Sequence, residues 1–190
     1  MQNVIIVPGT RPNKQVFLDA KLAPSCRSWH PSVTLELVKS GIPTQVLNFP
    51  NPYIPDTDYF EWVQVFKNFA LDNDTVLIGQ SAGAGFVLKY LSLNPDVTVG
   101  HLILIAPWLD LENSTPKFLQ DFTLDENIPN RMGKTELFYS TDDEKNIIDS
   151  AEKIIEKFGD KMIIHKFSDR GHFWTGDTPS DFPELLKAIK

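Results

Sequence analysis

Apolar residues along the chain occur either in short continuous runs or in longer stretches where every third or fourth position is apolar. The short runs predict buried β-strands, and they cover residues 4–7, 45–48, 75–78, 101–106, 135–139 and 162–167. The longer stretches predict amphipathic helices over residues 29–39, 60–70, 82–91, 147–158 and 182–189. Because strands and helices alternate, we expect an α/β fold in which helices cover both faces of a mostly parallel six-stranded sheet.

Three segments fit neither spacing. Residues 10–28 are polar, and we expect an irregular loop there. Residues 50–55 contain prolines, which lack the amide donor that regular structure needs. Residues 109–134 predict a short helix and loops over the strand ends. In the helix after the prolines, the expected N-cap is Asp56, Thr57 or Asp58, and the expected apolar face consists of Phe60, Val63, Phe66, Phe69 and Ala70.

The composition restricts the functions that the chain can have. Its 190 residues, 42% of them hydrophobic, are enough for one buried core, so we expect a single domain over residues 1–190. The net charge of -7 argues against nucleic acid and anionic membranes as partners, because both would repel an acidic protein. Cys26 is the only cysteine, and no basic stretch precedes the short apolar run at the N-terminus. We therefore expect a cytoplasmic protein without disulfides.

The sequence Gly79-Gln80-Ser81-Ala82-Gly83 matches the pattern G-x-S-x-G between a predicted strand and a predicted helix. In that context the serine occupies a sharp, strained turn that exposes its hydroxyl, so the positions two before and two after it need very small side chains. Gly79 and Gly83 meet this requirement. We therefore expect Ser81 to be a nucleophile. We also expect the Ala82 amide, at the helix N-terminus, to face negative charge that develops beside the serine.

Two later loops carry residues that could activate this serine. The loop after the fifth predicted strand contains Asp142 and Asp143, and the loop after the sixth contains His172. Both loops follow the carboxyl ends of strands, where open parallel sheets place their functional groups. We expect His172 to take the serine proton and one of the two aspartates to orient the imidazole. These residues alone leave open whether Asp143 or Asp142 has this role.

Other side chains have less specific expected roles. His30, His101 and His165 lie within or at the start of regular elements, and we interpret them as structural. The loop after the first strand predicts a second oxyanion donor at the Thr10 amide. Four aromatic residues near strand ends are candidates for lining a substrate pocket: Trp29, Trp108, Phe173 and Trp174. The acidic loop lacks EF-hand spacing, so we expect no metal and no cofactor.

Several motifs spread over nearly the whole chain occur together. They are Val4-Ile-Ile-Val-Pro-Gly9, Ser28-Trp29, Asn48-Phe-Pro-Asn-Pro52, Glu61-Trp62, Gly79-Gln-Ser-Ala-Gly83, Ser140-Thr-Asp-Asp143 and Lys166-Phe-Ser-Asp-Arg-Gly-His-Phe173. This set resembles the small α/β-hydrolases of the retinoblastoma-binding-protein-nine-like, or YdeN-like, serine hydrolase family. The resemblance implies a compact α/β-hydrolase without a large lid domain, in which Ser81 is the nucleophile, Asp143 the acid and His172 the base. Gln80 before the serine, and Glu144 where a proline often follows the acidic pair, depart from the family pattern.

The resemblance implies a serine hydrolase that cleaves a small ester, thioester or amide through an acyl-enzyme, and it does not specify the substrate. A small molecule is therefore the expected partner, and the sequence identifies no protein partner. Two alternatives stay open at this point, because a fold does not prove turnover. One is a hydrolase-like binding module for a protein or small ligand. The other is an acyltransferase that passes the acyl group to an acceptor other than water.

Overall fold

The computed structural model describes residues 1–174 and 181–190, and a six-stranded sheet forms its centre. The strands are β1 (Asn3–Val7), β2 (Thr44–Val46), β3 (Thr75–Gln80), β4 (His101–Ile105), β5 (Thr135–Ser140) and β6 (Ile163–Phe167). They lie in the order β2-β1-β3-β4-β5-β6, and each pairs in parallel with its neighbours. The predicted strands and the parallel sheet are confirmed, with strand ends within one or two residues of the expected positions.

The described residues contain the helices α1 (Lys14–Leu18), α2 (His30–Lys39), α3 (Tyr59–Phe66), α4 (Ala82–Leu93), α5 (Ile128–Arg131), α6 (Lys145–Phe158) and α7 (Pro183–Ile189). Helix α1 corrects the expectation of an irregular loop over residues 10–28; the Asn13 side chain accepts a hydrogen bond from the Val16 amide and caps it. Helix α5 is the only regular element between β4 and β5, so no large lid covers the strand ends. None of the described helices is long and apolar enough to cross a membrane.

Helix α3 confirms only part of the expected apolar face: Phe66 is buried and Val63 packs partly buried against the core, whereas Phe60 lies outside it. Its buried residues are Tyr59, Trp62 and Phe66. Phe60, which we expected inside, is 73% exposed. Trp62 is the largest apolar side chain of the helix, and it stacks on Phe49 with the ring centroids 4.1 Å apart. The rotation of α3 is therefore set by the site that accommodates this indole ring rather than by the average apolar spacing.

Two apolar layers cover the sheet, one on each face. Helices α3, α4 and α6 contribute to the first layer, and α2 and α7 contribute to the second. Strand β3 contributes side chains to both layers, because Leu77 packs into the first layer whereas Val76 and Ile78 pack into the second. All six residues of β3 are buried, as expected for a central strand of a parallel sheet. Strand β3 therefore lies wholly inside the fold, and Ser81 follows directly at its end.

The turn from β3 into α4 is packed so closely that side chains do not fit at three of its glycines. A Cβ atom on Gly79 would lie 2.5 Å from the backbone of α4, and one on Gly83 would lie 2.2 Å from the Val7 carbonyl oxygen. A Cβ atom on Gly85 would lie 2.1 Å from the Trp108 carbonyl oxygen. The small residues of the motif therefore let α4 lie directly against the ends of β1 and β4.

We predict that Gly85→Ala lowers the free energy of unfolding by about 1–3 kcal/mol, because the added methyl group forces two backbone segments apart. Urea unfolding monitored by circular dichroism measures the change. Gly41→Ala is the matched control, since a Cβ atom there meets nothing within 4 Å and only the positive φ of 78° opposes it. The Gly41→Ala substitution should lower the free energy of unfolding by about 1 kcal/mol. A Gly85→Ala protein as stable as the wild type would contradict the close approach.

Candidate active site

Ser81 lies between the last residue of β3 and the first residue of α4, in a backbone conformation that is rare for L-residues, with φ 54° and ψ -126°. Its amide donates to the Ile105 carbonyl of β4 at 2.9 Å. Its carbonyl accepts from the amides of Ala84 and Trp108 at 3.0 and 3.1 Å. The surrounding backbone thus holds the strained turn in place, and the serine side chain lies at its apex.

His172, in the loop after β6, contacts both Ser81 and an aspartate. Its Nε2 atom lies 2.9 Å from Ser81 Oγ. Its Nδ1 atom lies 2.9 Å from one carboxylate oxygen of Asp143 and 3.1 Å from the other. Because a carboxylate only accepts hydrogen bonds, Nδ1 carries the imidazole proton and Nε2 is left to accept from the serine hydroxyl. The structure therefore brings together the three residues that the sequence selects.

The Asp143 carboxylate is shielded from water. Its side chain is 1% exposed, and that of His172 is 15% exposed. The Glu144 amide also donates to Asp143 Oδ1 at 2.7 Å, which fixes the carboxylate at the start of the loop. A hydrogen bond to a buried carboxylate is stronger than one in water. The orientation of the imidazole ring is therefore well defined.

Asp142 has a different position, which separates the two aspartates that the sequence leaves as alternatives. Asp142 Oδ1 accepts a hydrogen bond from the Ser140 hydroxyl and another from the Gly171 amide at 3.0 Å. Ser140 Oγ in turn accepts from the Arg170 amide at 3.2 Å. The hydrogen bond from Ser140 lowers the pKa of Asp142 below its ordinary value. Asp142 therefore holds the turn that carries His172, whereas Asp143 contacts the imidazole itself.

The expected oxyanion donors are the Ala82 amide, directly after Ser81 in the chain, and the Thr10 amide, directly after Gly9. Ala82 is the first residue of α4, and the loop Pro8-Gly9-Thr10 directly follows β1. A Cβ atom added to Gly9 would lie 3.2 Å from Ser81 Oγ, so this loop lies against the serine hydroxyl. Within the residues described, neither the Thr10 amide nor the Ala82 amide donates to a protein acceptor. Both N–H groups are therefore without a protein partner beside Ser81.

Comparison with known proteins identifies a relative in sequence and several relatives in fold. YdeN of Bacillus subtilis (strain 168), whose name assigns it provisionally to the hydrolases, is 27% identical over 113 residues, which are 58% of this chain and 58% of YdeN. The crystal structure of the B. subtilis ydeN gene product matches with a TM-score of 0.79 and 18% identity, covering 100% of this chain and 97% of that one. The chain is thus similar to YdeN over part of its sequence, and it has the α/β-hydrolase fold.

The same fold extends to proteins with other names. The esterase EaEST from Exiguobacterium antarcticum matches with a TM-score of 0.62 and 15% identity, covering 100% of this chain and 90% of that one. No protein-family model matches the sequence. The likeness to YdeN therefore rests on one stretch of sequence and on the shared fold.

Two of the four aromatic residues expected to line a pocket lie in the core of this α/β-hydrolase instead. Trp29 and Phe173 are both 0% exposed and belong to the apolar layer of α2 and α7. The expectation was wrong because proximity to a strand end does not determine which way a side chain points. Trp108 is half-buried and packs against both apolar layers. Trp174 is half-buried as well, and its ring centroid lies 5.5 Å from that of His172.

Sequence reasoning missed a group of cationic residues beside the candidate triad of this α/β-hydrolase. They belong to a surface pocket of about 370 Å³ that is lined by Arg11, Lys21, Leu22, Arg27, Ser28 and Trp174. The sequence signal was weak, because these residues come from separate loops and converge only in the folded chain. Two positions offered a hint: Arg11 directly follows the expected oxyanion loop, and Arg27 directly precedes the motif Ser28-Trp29.

Two of the remaining histidines contact one buried carboxylate far from Ser81 in the sheet. His101 and His165 both pair with Glu136 of β5, as does Lys134. Burial alone would raise the pKa of Glu136, but the hydrogen bonds from His101, Lys134 and His165 outweigh it and lower the pKa to about 2. Among the residues that the structure describes, no group of three or more His, Cys, Asp or Glu is placed to hold a metal ion.

His30 lies directly behind the candidate site and is 2% exposed. Its Nδ1 atom lies 3.1 Å from the Pro24 carbonyl oxygen, to which it donates. Burial lowers the pKa of His30 to about 4, and the hydrogen bond with the Pro24 carbonyl offsets this only in part. His30 is therefore neutral at pH 7 and packs as a buried structural group.

We predict that His30 makes the fold sensitive to mild acid. The folded pKa of about 4 lies below the ordinary value of 6.5, so protonation favours the unfolded chain as pH falls through this window. One pKa unit corresponds to about 1.4 kcal/mol, so the wild type should lose about 3 kcal/mol relative to a chain without this titration. Urea unfolding of the wild type and His30→Gln from pH 7.5 to pH 4 measures the difference. Parallel stability curves for the two proteins would contradict the prediction.

Proposed function

We propose that the protein is a serine hydrolase that cleaves a small ester, thioester or amide through an acyl-enzyme. The observation that carries this proposal is the pair of contacts that link Ser81 Oγ to His172 Nε2 and His172 Nδ1 to the Asp143 carboxylate. A hydroxyl within hydrogen-bond reach of a base that a third group orients is the arrangement of an activated nucleophile. The names of EaEST, an esterase, and of YdeN agree with this class.

In the first half of the proposed reaction, Ser81 Oγ attacks the substrate carbonyl carbon while its proton passes to His172 Nε2. The ring then carries a positive charge, which the buried Asp143 carboxylate stabilises through the proton on Nδ1. The tetrahedral intermediate collapses when His172 returns the proton to the leaving group. The leaving alcohol, thiol or amine departs, and the acyl group stays bonded to Ser81.

The negative oxygen of the tetrahedral intermediate needs hydrogen-bond donors that are already in place. The amides of Thr10 and Ala82 flank Ser81, and within the described part of the chain neither has a protein acceptor. Ala82 also starts a helix of 12 residues, whose N-terminal end carries a partial positive charge. One donor of this kind typically contributes about 3–4 kcal/mol to lowering the barrier.

The second half of the reaction repeats these steps with water. His172 Nε2 takes a proton from a water molecule as its oxygen attacks the acyl carbon, and then gives that proton to Ser81 Oγ as the acid leaves. The free serine is regenerated. In the absence of a large lid, the loops after β1, β5 and β6 surround the reacting atoms.

We predict that Ser81→Ala lowers kcat by about 10⁵- to 10⁶-fold on any ester that the wild type cleaves, because no acyl-enzyme can form. Release of 4-nitrophenol from short-chain 4-nitrophenyl esters measures this. The wild type should also show a burst of 4-nitrophenol equal to the enzyme concentration whenever deacylation is slow. A correctly folded Ser81→Ala protein with wild-type turnover would refute the proposed function.

The two aspartates give a matched pair of variants. Asp143→Asn should lower kcat by about 10⁴-fold without unfolding the protein, because the amide cannot stabilise the imidazolium or its tautomer. Asp142→Asn should lower kcat much less and should lower stability instead, because Asp142 Oδ1 accepts from Ser140 and Gly171. Kinetics and urea unfolding of both variants measure the two effects. A harmless Asp143→Asn beside an inactive, folded Asp142→Asn would reverse the assignment.

A further inference from the structure

The cationic pocket lies immediately beside the reacting atoms. On one side, the Arg27 guanidinium donates to the Gly9 carbonyl oxygen at 3.3 Å, and Gly9 lies against Ser81. On the other side, the Trp174 ring that lines the pocket lies 5.5 Å from the His172 ring. The pocket volume of about 370 Å³ falls within the range of small-molecule sites. A substrate held at Ser81 could therefore extend into this pocket.

Arg27 is the cation whose surroundings are the most informative. It is 7% exposed, and its guanidinium carbon lies 5.4 Å from the centroid of the Trp174 ring. Its Nη2 atom donates to Gly9, whereas Nη1 is buried without a hydrogen-bond partner among the described residues. A buried donor without an acceptor is destabilising, and a guanidinium presents a fork of donors that matches a carboxylate or a phosphate. The contact with Trp174 leaves Nη1 without an acceptor among the described residues.

The neighbouring cations add to the same local charge. Arg11 and Lys21 line the pocket with Arg27, and within the described ranges none of the three lies within 4.0 Å of a carboxylate. Burial and the nearby Arg11 lower the pKa of Arg27 to about 10, so both guanidinium groups remain charged at neutral pH. Three cations thus converge in a chain whose net charge is -7. Their mutual repulsion is a cost to the fold that a bound anion would remove.

We propose that this pocket binds an anionic group, a carboxylate or a phosphate, on the substrate that is cleaved at Ser81. Arg27 and Arg11 contact the anion and Trp174 forms the apolar wall, so the substrate class is a small ester, thioester or amide that bears a negative charge away from the scissile bond. This inference rests on the proposed serine hydrolase function. It adds a charge requirement that the triad itself does not impose.

Matched substrates that differ only in charge test the inference. On the acyl side, mono-4-nitrophenyl adipate is compared with its neutral methyl ester. On the leaving-group side, the hexanoyl ester of 4-hydroxybenzoate is compared with that of methyl 4-hydroxybenzoate. The wild type should prefer the anionic member of at least one pair by roughly 10- to 100-fold in kcat/KM, as charged hydrogen bonds imply. The preference should shrink in high salt, which screens exposed charges. Equal kcat/KM within both pairs would overturn the inference.

Two variants locate the preference in the pocket. Arg27→Gln and Arg11→Gln should each reduce the anionic preference by about tenfold; Arg11 provides the test if the buried Arg27 variant fails to fold. Lys39→Gln, a surface substitution at the far end of α2 with the same change in charge, should leave the preference unchanged. An anionic preference that survives in a folded Arg11→Gln or Arg27→Gln protein would assign it to another part of the surface.

A binding measurement separates this inference from the proposed function. Calorimetry on the Ser81→Ala protein uses inorganic phosphate and monomethyl adipate as probes, which distinguishes a phosphate preference from a carboxylate preference. Binding that Arg11→Gln abolishes supports the anion pocket even if no ester is turned over. Turnover that depends on Ser81, without binding and without anionic preference, keeps the hydrolase and refutes the pocket.

Discussion

The site depends on one strained turn. Ser81 has φ 54° between β3 and α4, and the turn exists only because α4 lies almost in contact with the ends of β1 and β4. Gly83 and Gly85 permit that contact, since a Cβ atom on either would collide with a carbonyl oxygen. The same approach places the Gly9 loop against the Ser81 hydroxyl. Close packing of backbone on backbone thus positions the serine and both candidate oxyanion donors together.

The loops that follow the neighbouring strands β5 and β6 supply the other two residues of the candidate triad, Asp143 and His172. The two adjacent aspartates of the first loop have different roles. Asp143 contacts the imidazole of His172, whereas Asp142 holds the Gly171 amide of the turn that carries it. Because β5 and β6 pair in parallel, both loops leave the sheet at the same edge. Of the two adjacent aspartates, Asp143 can therefore orient the imidazole while Asp142 supports the turn that carries His172. The cationic pocket lies next to these groups, because its lining residues come from the loops after β1 and β6.

The sheet, the motif turn and the three residues of the candidate triad could be predicted from the sequence, because each depends on local pattern and on the order of strands. The direction in which individual side chains point could not be predicted from the sequence. Trp29 and Trp174 were both expected to line a pocket, yet Trp29 is fully buried and Trp174 lines the cationic pocket. The predicted burial of Phe60 on α3 was wrong for a similar reason, since the orientation of this helix depends on the packing of Trp62 against Phe49, which lies outside the helix. Arg11 and Arg27 meet only through tertiary contacts, which no spacing along the chain reveals.

Intact mass after incubation with a fluorophosphonate tests the central claim most directly, because an activated serine displaces fluoride and keeps the phosphonyl group. One adduct per chain is expected on the wild type near pH 7–8, and none on Ser81→Ala. His172→Ala should react far more slowly. An unmodified wild type across that pH range, or equal labelling of Ser81→Ala, would contradict the activation of Ser81 by His172 and Asp143.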